Sequence, residues 1–286
     1  MPHETIVVGD VEISALLDVD VPDEPIADAF PAAPAEALRA AKGVYPSIYT
    51  PDDAWRLRVR SWLVRHGGGV LLLDTGVGPG SSPAMTWCPE PGATKAALAE
   101  VDAAPEDIDT VVISHTHDDH VGGVLGTDGN PAFPNARYVI QRADRDWERD
   151  AAAREPEHGA TWTSLLEPLV VAGVLDVIDG DHRLTGTIEL HHAPGHTPGH
   201  QVVRITSGDQ RALLAADTWN HPLQLAHPEW ASGSDDDGAA AEATRRALMT
   251  ELLAQPETIV VPTHFGEAFG RVRTGPDGSP GWEASG

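Results

Sequence analysis

The chain has 286 residues, of which 41% are hydrophobic and 22% are charged, a composition that supports a sizeable core and is not that of a disordered protein. Its 44 acidic and 19 basic residues give a formal net charge of −25. A field of that sign repels polyphosphate backbones and anionic membranes, so we expect no nucleic-acid partner and no membrane partner.

In the first half of the chain, hydrophobic alternation predicts strands and a 3.6-residue spacing predicts helices. The glycines at 67–69 are predicted to join two strands into a hairpin. Enrichment in proline and glycine predicts irregular loops at residues 22–34 and 78–92. The predicted strands cover residues 5–18 as a pair, 55–64, 70–73, 110–114, 137–141 and 174–178, and the predicted helices cover residues 94–101, 143–153 and 162–171.

The second half of the chain continues this pattern. A helix over residues 239–254 follows an acidic loop at 235–237, and the tail at 274–286, rich in Gly, Pro and Ser, is predicted to be flexible. The runs of strands with helices between them favour two sheets whose outer faces are covered by helices. We expect one domain over residues 1–286, in which residues 1–54 form an arm of strands and loop. The remaining predicted strands cover residues 187–191, 201–206, 212–216 and 258–262.

The cysteine count and the hydropathy of the chain bear on its location. Cys88 is the only cysteine, which excludes an intrachain disulfide and a cysteine-rich zinc site. The first residues lack the basic and apolar regions of a signal peptide, and no stretch approaches the ~20 apolar residues of a membrane span. We therefore expect a cytoplasmic protein.

Six consecutive residues, His115-Thr116-His117-Asp118-Asp119-His120, follow the predicted strand at 110–114. His115 and His117 are two positions apart, so on an extended segment their side chains point to the same side and can bind one metal ion. Asp119 and His120 lie beyond a turn and can reach a second ion. So many imidazoles and carboxylates at the end of a buried strand require a compensating cation.

Three further candidate ligands lie downstream, each at the end of a predicted strand. They are His196, Asp217 and His264. Taken singly, each could be a buried histidine bonded to the backbone or an aspartate that caps a turn. Together with the six-residue run, they supply the ligands that two metal ions need.

The order of these motifs resembles the metallo-β-lactamase-fold hydrolases. The matching pieces are His-x-His-x-Asp-His, Pro-Gly-His-Thr-Pro-Gly-His, Asp217, Pro-Thr-His and the early Leu71-Leu72-Leu73-Asp74-Thr75-Gly76 segment. The resemblance extends from about Trp55 to His264 and implies an α+β protein with a four-layer αββα sandwich. It also implies that His115, His117 and His196 bind a first metal ion, that Asp119, His120 and His264 bind a second, and that Asp217 bridges the two.

The resemblance implies a hydrolytic mechanism with two divalent ions. Zinc suits the imidazole and carboxylate ligands, and manganese, iron and cobalt are compatible. A hydroxide that bridges the ions would attack the substrate, and Asp119 or Asp217 would carry a proton to the leaving group.

The segment from Asp217 to His221-Pro222-Leu223-Gln224 is similar to the branch that contains methyl parathion hydrolase and the N-acyl homoserine lactonase-like enzymes. That branch implies a small-molecule lactone or carboxylic ester as substrate, with phosphotriesters within its range. Ala216 departs from the pattern, since glycine is commoner before the bridging aspartate, and we expect little consequence. The alternatives are a mononuclear iron persulfide dioxygenase, which needs only His115, His117 and His196, and a thioester hydrolase.

Other side chains are candidates for supporting roles. Asp74 and His200 are predicted to orient ligating histidines, and His200 could instead brace the turn at Gly199. Asp118 is predicted to support the site or to be exposed. A homodimer is compatible with the sequence. The candidates for the substrate pocket are Trp87, Trp219, His221, Trp230, Tyr45 and Tyr49.

Overall fold

A computed structural model describes residues 4–154 and 160–285 of the chain. The strands are β1 Thr5–Val8, β2 Val11–Pro25, β3 Ala54–His66, β4 Gly69–Leu73, β5 Thr110–Val112, β6 Arg137–Gln141, β7 Leu175–Ile178, β8 His182–Arg183, β9 Ile188–His192, β10 Gln201–Ser207, β11 Gln210–Ala216, β12 Ile259–Pro262, β13 Gly270–Thr274 and β14 Pro280–Ala284. The α-helices are α1 Ile26–Ala29, α2 Ala35–Ala41, α3 Thr94–Glu100, α4 Asp118–Val121, α5 Arg142–Arg154, α6 Glu167–Val171, α7 Leu223–Ala226 and α8 Gly238–Ala254. A π-helical turn, Trp162–Leu166, precedes α6, and single 3-10 turns lie at Pro46–Ile48, Pro83–Thr86 and Pro105–Asp107.

The strands form two sheets that each follow the chain order. The first sheet runs from β1 to β7, and the second runs from β14 back to β8. In the first sheet β1 to β4 are antiparallel, whereas β4 to β7 are parallel. In the second sheet only β11 and β12 pair in parallel. Antiparallel pairs therefore build one side of the first sheet and both sides of the second, and crossovers through helices join the parallel strands.

Three apolar clusters separate four layers. Residues of both sheets, such as Trp62 of β3 and Leu214 of β11, pack together in the central cluster. Leu98 of α3 packs on the outer face of the first sheet, and Leu248 of α8 packs on the outer face of the second sheet. The order is thus helix, sheet, sheet, helix, which confirms the predicted αββα sandwich.

Two predicted irregular segments are regular in the structure. Residues 22–25, predicted as loop, continue β2, with Pro22 opposite Arg56 of β3. Because β1 pairs only with Val11–Ser14, this part of β2 is an edge, where a proline without an N–H group is tolerated. The tail predicted to be flexible contains β14, in which Trp282 lies opposite Val272 of β13.

Four chain segments that follow strand ends converge at one edge of the sandwich. The six-residue run follows β5, His196 lies between β9 and β10, Asp217 follows β11 and His264 follows β12. Within the described ranges, no helix has the length and hydropathy needed to cross a membrane.

Candidate metal centre and active-site cavity

Close backbone packing holds the histidine run in place. His117 directly precedes α4, and the chain after this helix packs against Thr75. There is no room for a side chain between them, because a Cβ atom on Gly123 would lie 2.2 Å from the carbonyl oxygen of Thr75. A Cβ atom on Gly122 would lie 2.3 Å from the carbonyl oxygen of Val77. Both glycines are therefore required for the close approach of the two backbones beneath the site.

Three histidine nitrogens face one another at the first predicted metal position. His115 Nε2 lies 3.2 Å from His117 Nδ1, and His196 Nε2 lies 3.0 Å from the same His117 nitrogen. Three nitrogen lone pairs directed at one point repel one another, and a shared cation removes that repulsion.

Asp217 lies between this group and a second one. Asp217 Oδ1 is 3.2 Å from His120 Nε2, while Asp217 Oδ2 is 3.0 Å from His264 Nε2 and 3.4 Å from His196 Nε2. Asp119 Oδ2 is 3.5 Å from the Nε2 atoms of both His120 and His264. All seven predicted ligands therefore meet at one place, with Asp217 at its centre.

The hydrogen bonds around the site fix the tautomers of the histidines. His120 Nδ1 donates to Asp74 Oδ2 at 2.8 Å, His264 Nδ1 donates to the carbonyl oxygen of Arg58 at 2.7 Å, and His196 Nδ1 donates to Asp235 Oδ1 at 3.0 Å. In the neutral imidazoles of His120, His196 and His264, the Nε2 atoms therefore carry the lone pairs that point into the site.

These residues fit two cations. His120 Nε2 and Asp217 Oδ1 are buried and have no hydrogen-bond partner, a cost that a metal ion would remove. The convergent groups among the described residues are His115, His117 and His196; His115, His120 and Asp217; and Asp119, His120 and His264.

Burial and neighbouring charges shift the pKa values of the site histidines in opposite directions. Burial, with the neighbouring histidines, lowers the pKa of His117 to about 3 and that of His115 well below its usual range. Burial also disfavours charge on His120, but Asp217 and Asp119 outweigh it and raise the pKa of His120 well above its usual range. Protons on such histidines are what bound metal ions would replace.

Asp74 and His200 both support the centre, in different ways. Asp74 accepts bonds from His120 and from the backbone and hydroxyl of Ser114, at 2.7 Å each, so it orients a ligating histidine as predicted. His200 donates to the carbonyl oxygen of Ala193 at 3.0 Å and accepts from the backbone N–H of Asp217 at 3.2 Å. His200 thus fixes the main chain of the central aspartate and contacts no ligating imidazole by hydrogen bond.

The sequence interpretation missed a buried ion pair behind His196. Asp235 accepts from His196 and also pairs with Arg245 of α8 at 2.5 Å. Both side chains of the pair are almost completely buried. The acidic run at 235–237 was visible, but the sequence alone could not show that Asp235 points inward while Asp237 caps α8.

A cavity of about 620 Å³ opens over the centre. Asp119, Asp217 and His264 form part of its floor, and Asp118, predicted either to support the site or to be exposed, lies in its wall and accepts from Thr161 at 3.3 Å. The wall also contains Trp55, Trp87, Trp147 and Glu148. A cleft of this size is suited to a small molecule.

Of the six predicted pocket residues, only Trp87 lines this cavity. Trp219 is buried against the helical layer, and Trp230 stacks on His227 at 3.8 Å. Tyr49 donates its hydroxyl to the carbonyl oxygen of Leu38 at 2.8 Å. Packing explains these placements, because large aromatic side chains gain more free energy from burial against other residues than from exposure in the cavity.

His221 and Tyr45 are the remaining pocket candidates that the structure places elsewhere. Tyr45 packs edge-on against His221, with 6.1 Å between ring centroids, and His221 is buried. Next to His221, Gln224 Oε1 accepts from the backbone of Asn220 at 2.8 Å. The His-Pro-Leu-Gln motif therefore shapes the turn that places Asn220, whose amide donates to Asp217 Oδ2 at 2.8 Å.

Four of the wall residues that the sequence interpretation missed come from one helix and one strand. Trp147 and Glu148 lie on α5, which was predicted only as a polar helix, and Asp23 and Glu24 lie at the end of β2, which was predicted as loop. The helical period could have placed 147 and 148 near one face, but only the tertiary packing shows which face meets the site.

Comparisons with known proteins agree with this architecture. The sequence model of the metallo-beta-lactamase superfamily matches residues 54–264. An N-acyl homoserine lactonase from a Bacillus species is 32% identical over 189 residues, which are 60% of this chain and 68% of the relative. These findings confirm the family resemblance of the motifs.

Solved structures share the fold over the whole chain. AidC, a dizinc quorum-quenching lactonase in complex with a product, has a TM-score of 0.81 at 22% identity, over 99% of this chain and 97% of its own. The hydrolase AbOPH of the beta lactamase superfamily has a TM-score of 0.84 at 20% identity, over 100% of this chain and 98% of its own. Because the family match alone covers most of the sequence and includes the predicted ligands, the chain belongs to the metallo-beta-lactamase superfamily and is a metal-dependent hydrolase.

Proposed function

We propose that the chain is a dinuclear hydrolase that cleaves a lactone or a carboxylic ester of a small molecule in the cavity above the candidate metal centre. The observation that carries this proposal is the position of Asp217, whose two oxygens face different groups of histidines. A carboxylate in this position is suited to bind two cations at once. A site for a single iron ion would leave Asp119, His120 and His264 without a metal to bind.

The donor set favours zinc, since imidazole nitrogens and carboxylate oxygens are its usual ligands in catalytic sites. When bound, two divalent ions would supply the acidity that ionises a water molecule near neutral pH and the positive charge that stabilises a developing oxyanion. The residues that would hold them are His115, His117 and His196 for one ion, Asp119, His120 and His264 for the other, and Asp217 for both.

Asp217 is held too firmly to act as a mobile acid. Its backbone N–H donates to His200 and its Oδ2 accepts from Asn220. Asp119 is more open, with a side chain that is 15% exposed, and it lines the cavity. We therefore assign to the Asp119 carboxylate the transfer of a proton to the leaving oxygen.

The relatives support the choice of substrate class. The Bacillus relative is an N-acyl homoserine lactonase, and AidC is a lactonase that was solved with its product. A lactone is a cyclic ester, so the same nucleophile and the same charge stabilisation serve a ring-opening reaction and the cleavage of an open ester.

Metal analysis tests the dinuclear part of the proposal. We expect about two ions per chain in protein purified without added metal. Asp217→Asn should keep the fold and lose both ions and turnover, whereas Asp209→Asn, in the exposed turn between β10 and β11, should behave as the unaltered protein. A single iron per chain, with oxygen consumed on a persulfide, would overturn the proposal.

A substrate panel tests the reaction class. It should contain acyl homoserine lactones, aryl esters, a phosphotriester and a glutathione thioester, each assayed with the zinc-loaded protein. We expect the highest kcat/KM on a lactone or an ester. A clear preference for the thioester would contradict the proposed substrate class and leave the metal centre intact.

A further inference from the structure

Four carboxylates that are not predicted metal ligands line the cavity. Asp23 and Glu24 come from the end of β2, Asp118 from the first turn of α4 and Glu148 from α5. Among the described residues that form the cavity, none is an arginine or a lysine. The walls above the centre are therefore negative on more than one side.

Within the described part of the chain, no basic side chain forms an ion pair with these carboxylates. No ion pair between the described residues joins any of the four to an arginine or a lysine. Between the described residues, Glu148 accepts one hydrogen bond, from the hydroxyl of Thr116 at 3.0 Å. Negative charges that share a cleft without basic partners repel one another, and a positively charged ligand would relieve that repulsion.

Tryptophan rings accompany the carboxylates. Trp87 and Trp147 are 42% and 46% exposed, high values for so large an apolar side chain, and both line the cavity, as does Trp55. The face of an indole ring attracts ammonium and guanidinium groups, and does so more strongly where water is partly excluded. Carboxylates interleaved with indole rings form a usual environment for an organic cation.

A buried acceptor in the same wall points to a ligand that donates a hydrogen bond. Asn220 is 1% exposed and lines the cavity. Its Nδ2 donates to Asp217 Oδ2 at 2.8 Å, which fixes the orientation of the amide, and its Oδ1 has no partner. An N–H group of a ligand would satisfy this oxygen.

We propose that this cavity selects a substrate that carries a cationic group, such as a primary ammonium, and discriminates against anionic substrates. The inference rests on the proposed function, because it concerns the substrate of that same centre. The carboxylates of Asp23, Glu24, Asp118 and Glu148 attract the cation, and the exposed indoles of Trp87 and Trp147 flank it.

A matched series of esters tests this selectivity. The 4-nitrophenyl esters of 6-aminohexanoic, heptanoic and heptanedioic acid end in an ammonium, a methyl and a carboxylate group, respectively. With the zinc-loaded protein at pH 8, above the pKa of about 7 that burial gives Glu148, and with the uncatalysed rate subtracted, we expect kcat/KM to fall by about tenfold or more from the cationic to the anionic ester at low salt. The ratio should shrink as salt is added.

Removal of the wall charges should reduce the ratio of kcat/KM on the cationic ester to kcat/KM on the anionic ester. Glu148→Gln, and separately Asp23→Asn with Glu24→Gln, should lower kcat/KM on the cationic ester and raise it on the anionic ester. The rate on the neutral ester reports whether the variants remain folded and active. Glu36→Gln, which removes an exposed charge from α2 outside the cavity, should leave the ratio unchanged. Equal rates on the three esters would overturn the inference.

A binding experiment separates this inference from the proposed function. Calorimetric titration of the zinc-loaded protein with butylammonium and with butan-1-ol compares a cation with a neutral molecule of similar shape. Tighter binding of butylammonium, weakened by Glu148→Gln, would support the inference even if no ester were cleaved. Equal binding of the two probes would overturn it even if esters were cleaved well.

Discussion

At the scale of single residues, two positions next to the metal ligands have backbone conformations that few side chains adopt. Asp74 has a φ of 61° and Ala216 a φ of 43°, both in the left-handed region. Such a conformation costs an alanine roughly 1–2 kcal/mol, so the replacement of glycine by Ala216 carries more strain than the sequence suggested. Asp74 offsets its own strain through its bonds to His120 and Ser114.

Asp74→Asn tests the support of the histidine. Asparagine tolerates the same backbone conformation, so the fold should persist, but His120 loses a charged acceptor. We expect metal affinity to fall by about 10–100-fold, as measured by competition with a chromogenic chelator. Asp53→Asn is a matched control, since Asp53 also has a positive φ, of 68°, on the exposed surface. An unchanged affinity in Asp74→Asn would contradict this role.

Glu148 should make stability depend on pH. Burial, with the charges of Asp144 and Asp118, raises the pKa of Glu148 from 4.5 to about 7. Because the folded-state pKa is the higher one, the folded protein binds the extra proton, and stability is lost as pH rises from 4.5 to 7. Urea unfolding should show Glu148→Gln gaining roughly 1–2 kcal/mol on the unaltered protein between those limits. A constant difference would refute the shift.

At the scale of elements, the strand ends define the metal ligands, while neighbouring helices fix how they are oriented. Helix α8 begins after Asp237, whose side chain accepts from the N–H groups of Ala239 and Ala240. Its Arg245 reaches the carbonyl oxygen of Thr218 at 2.8 Å as well as Asp235. One helix thereby supports both the His196 side and the Asp217 side of the centre.

Arg245→Met tests this connection. The change leaves the carboxylate of Asp235 buried without its partner, so we expect a loss of about 3–5 kcal/mol in the free energy of unfolding. Denaturant unfolding of the metal-loaded protein measures it. Arg246→Met, the adjacent and exposed position on the same helix, should change stability by no more than about 0.5 kcal/mol. A similarly small effect at Arg245 would mean that the ion pair contributes little.

At the scale of the whole molecule, a net charge of −25 opposes compaction, and two divalent ions at the centre would reduce that repulsion where carboxylates are closest. Metal binding and folding are therefore expected to be coupled, since the ligands come from four segments that are far apart in the sequence.

Chelation should reveal this coupling. At ion concentrations about 1,000-fold above Kd, the bound state gains about 4 kcal/mol, which a chelator removes. We expect a lower Tm by scanning calorimetry after chelation, with partial recovery on adding sodium chloride, because salt screens the excess negative charge. A Tm that is insensitive to chelation would show that the centre forms without its ions.

The sequence by itself determined the αββα class and the seven candidate ligands, because hydrophobic periodicity and motif spacing are local properties of the chain. Asp74 was also accessible, since it lies within a motif. Only the tertiary structure decided that Asp235 and Arg245 stand behind His196, that His221 and Trp219 are buried, and that Asp23 and Glu148 share a cavity. Those relations depend on side-chain directions across distant segments, and no local pattern specifies them.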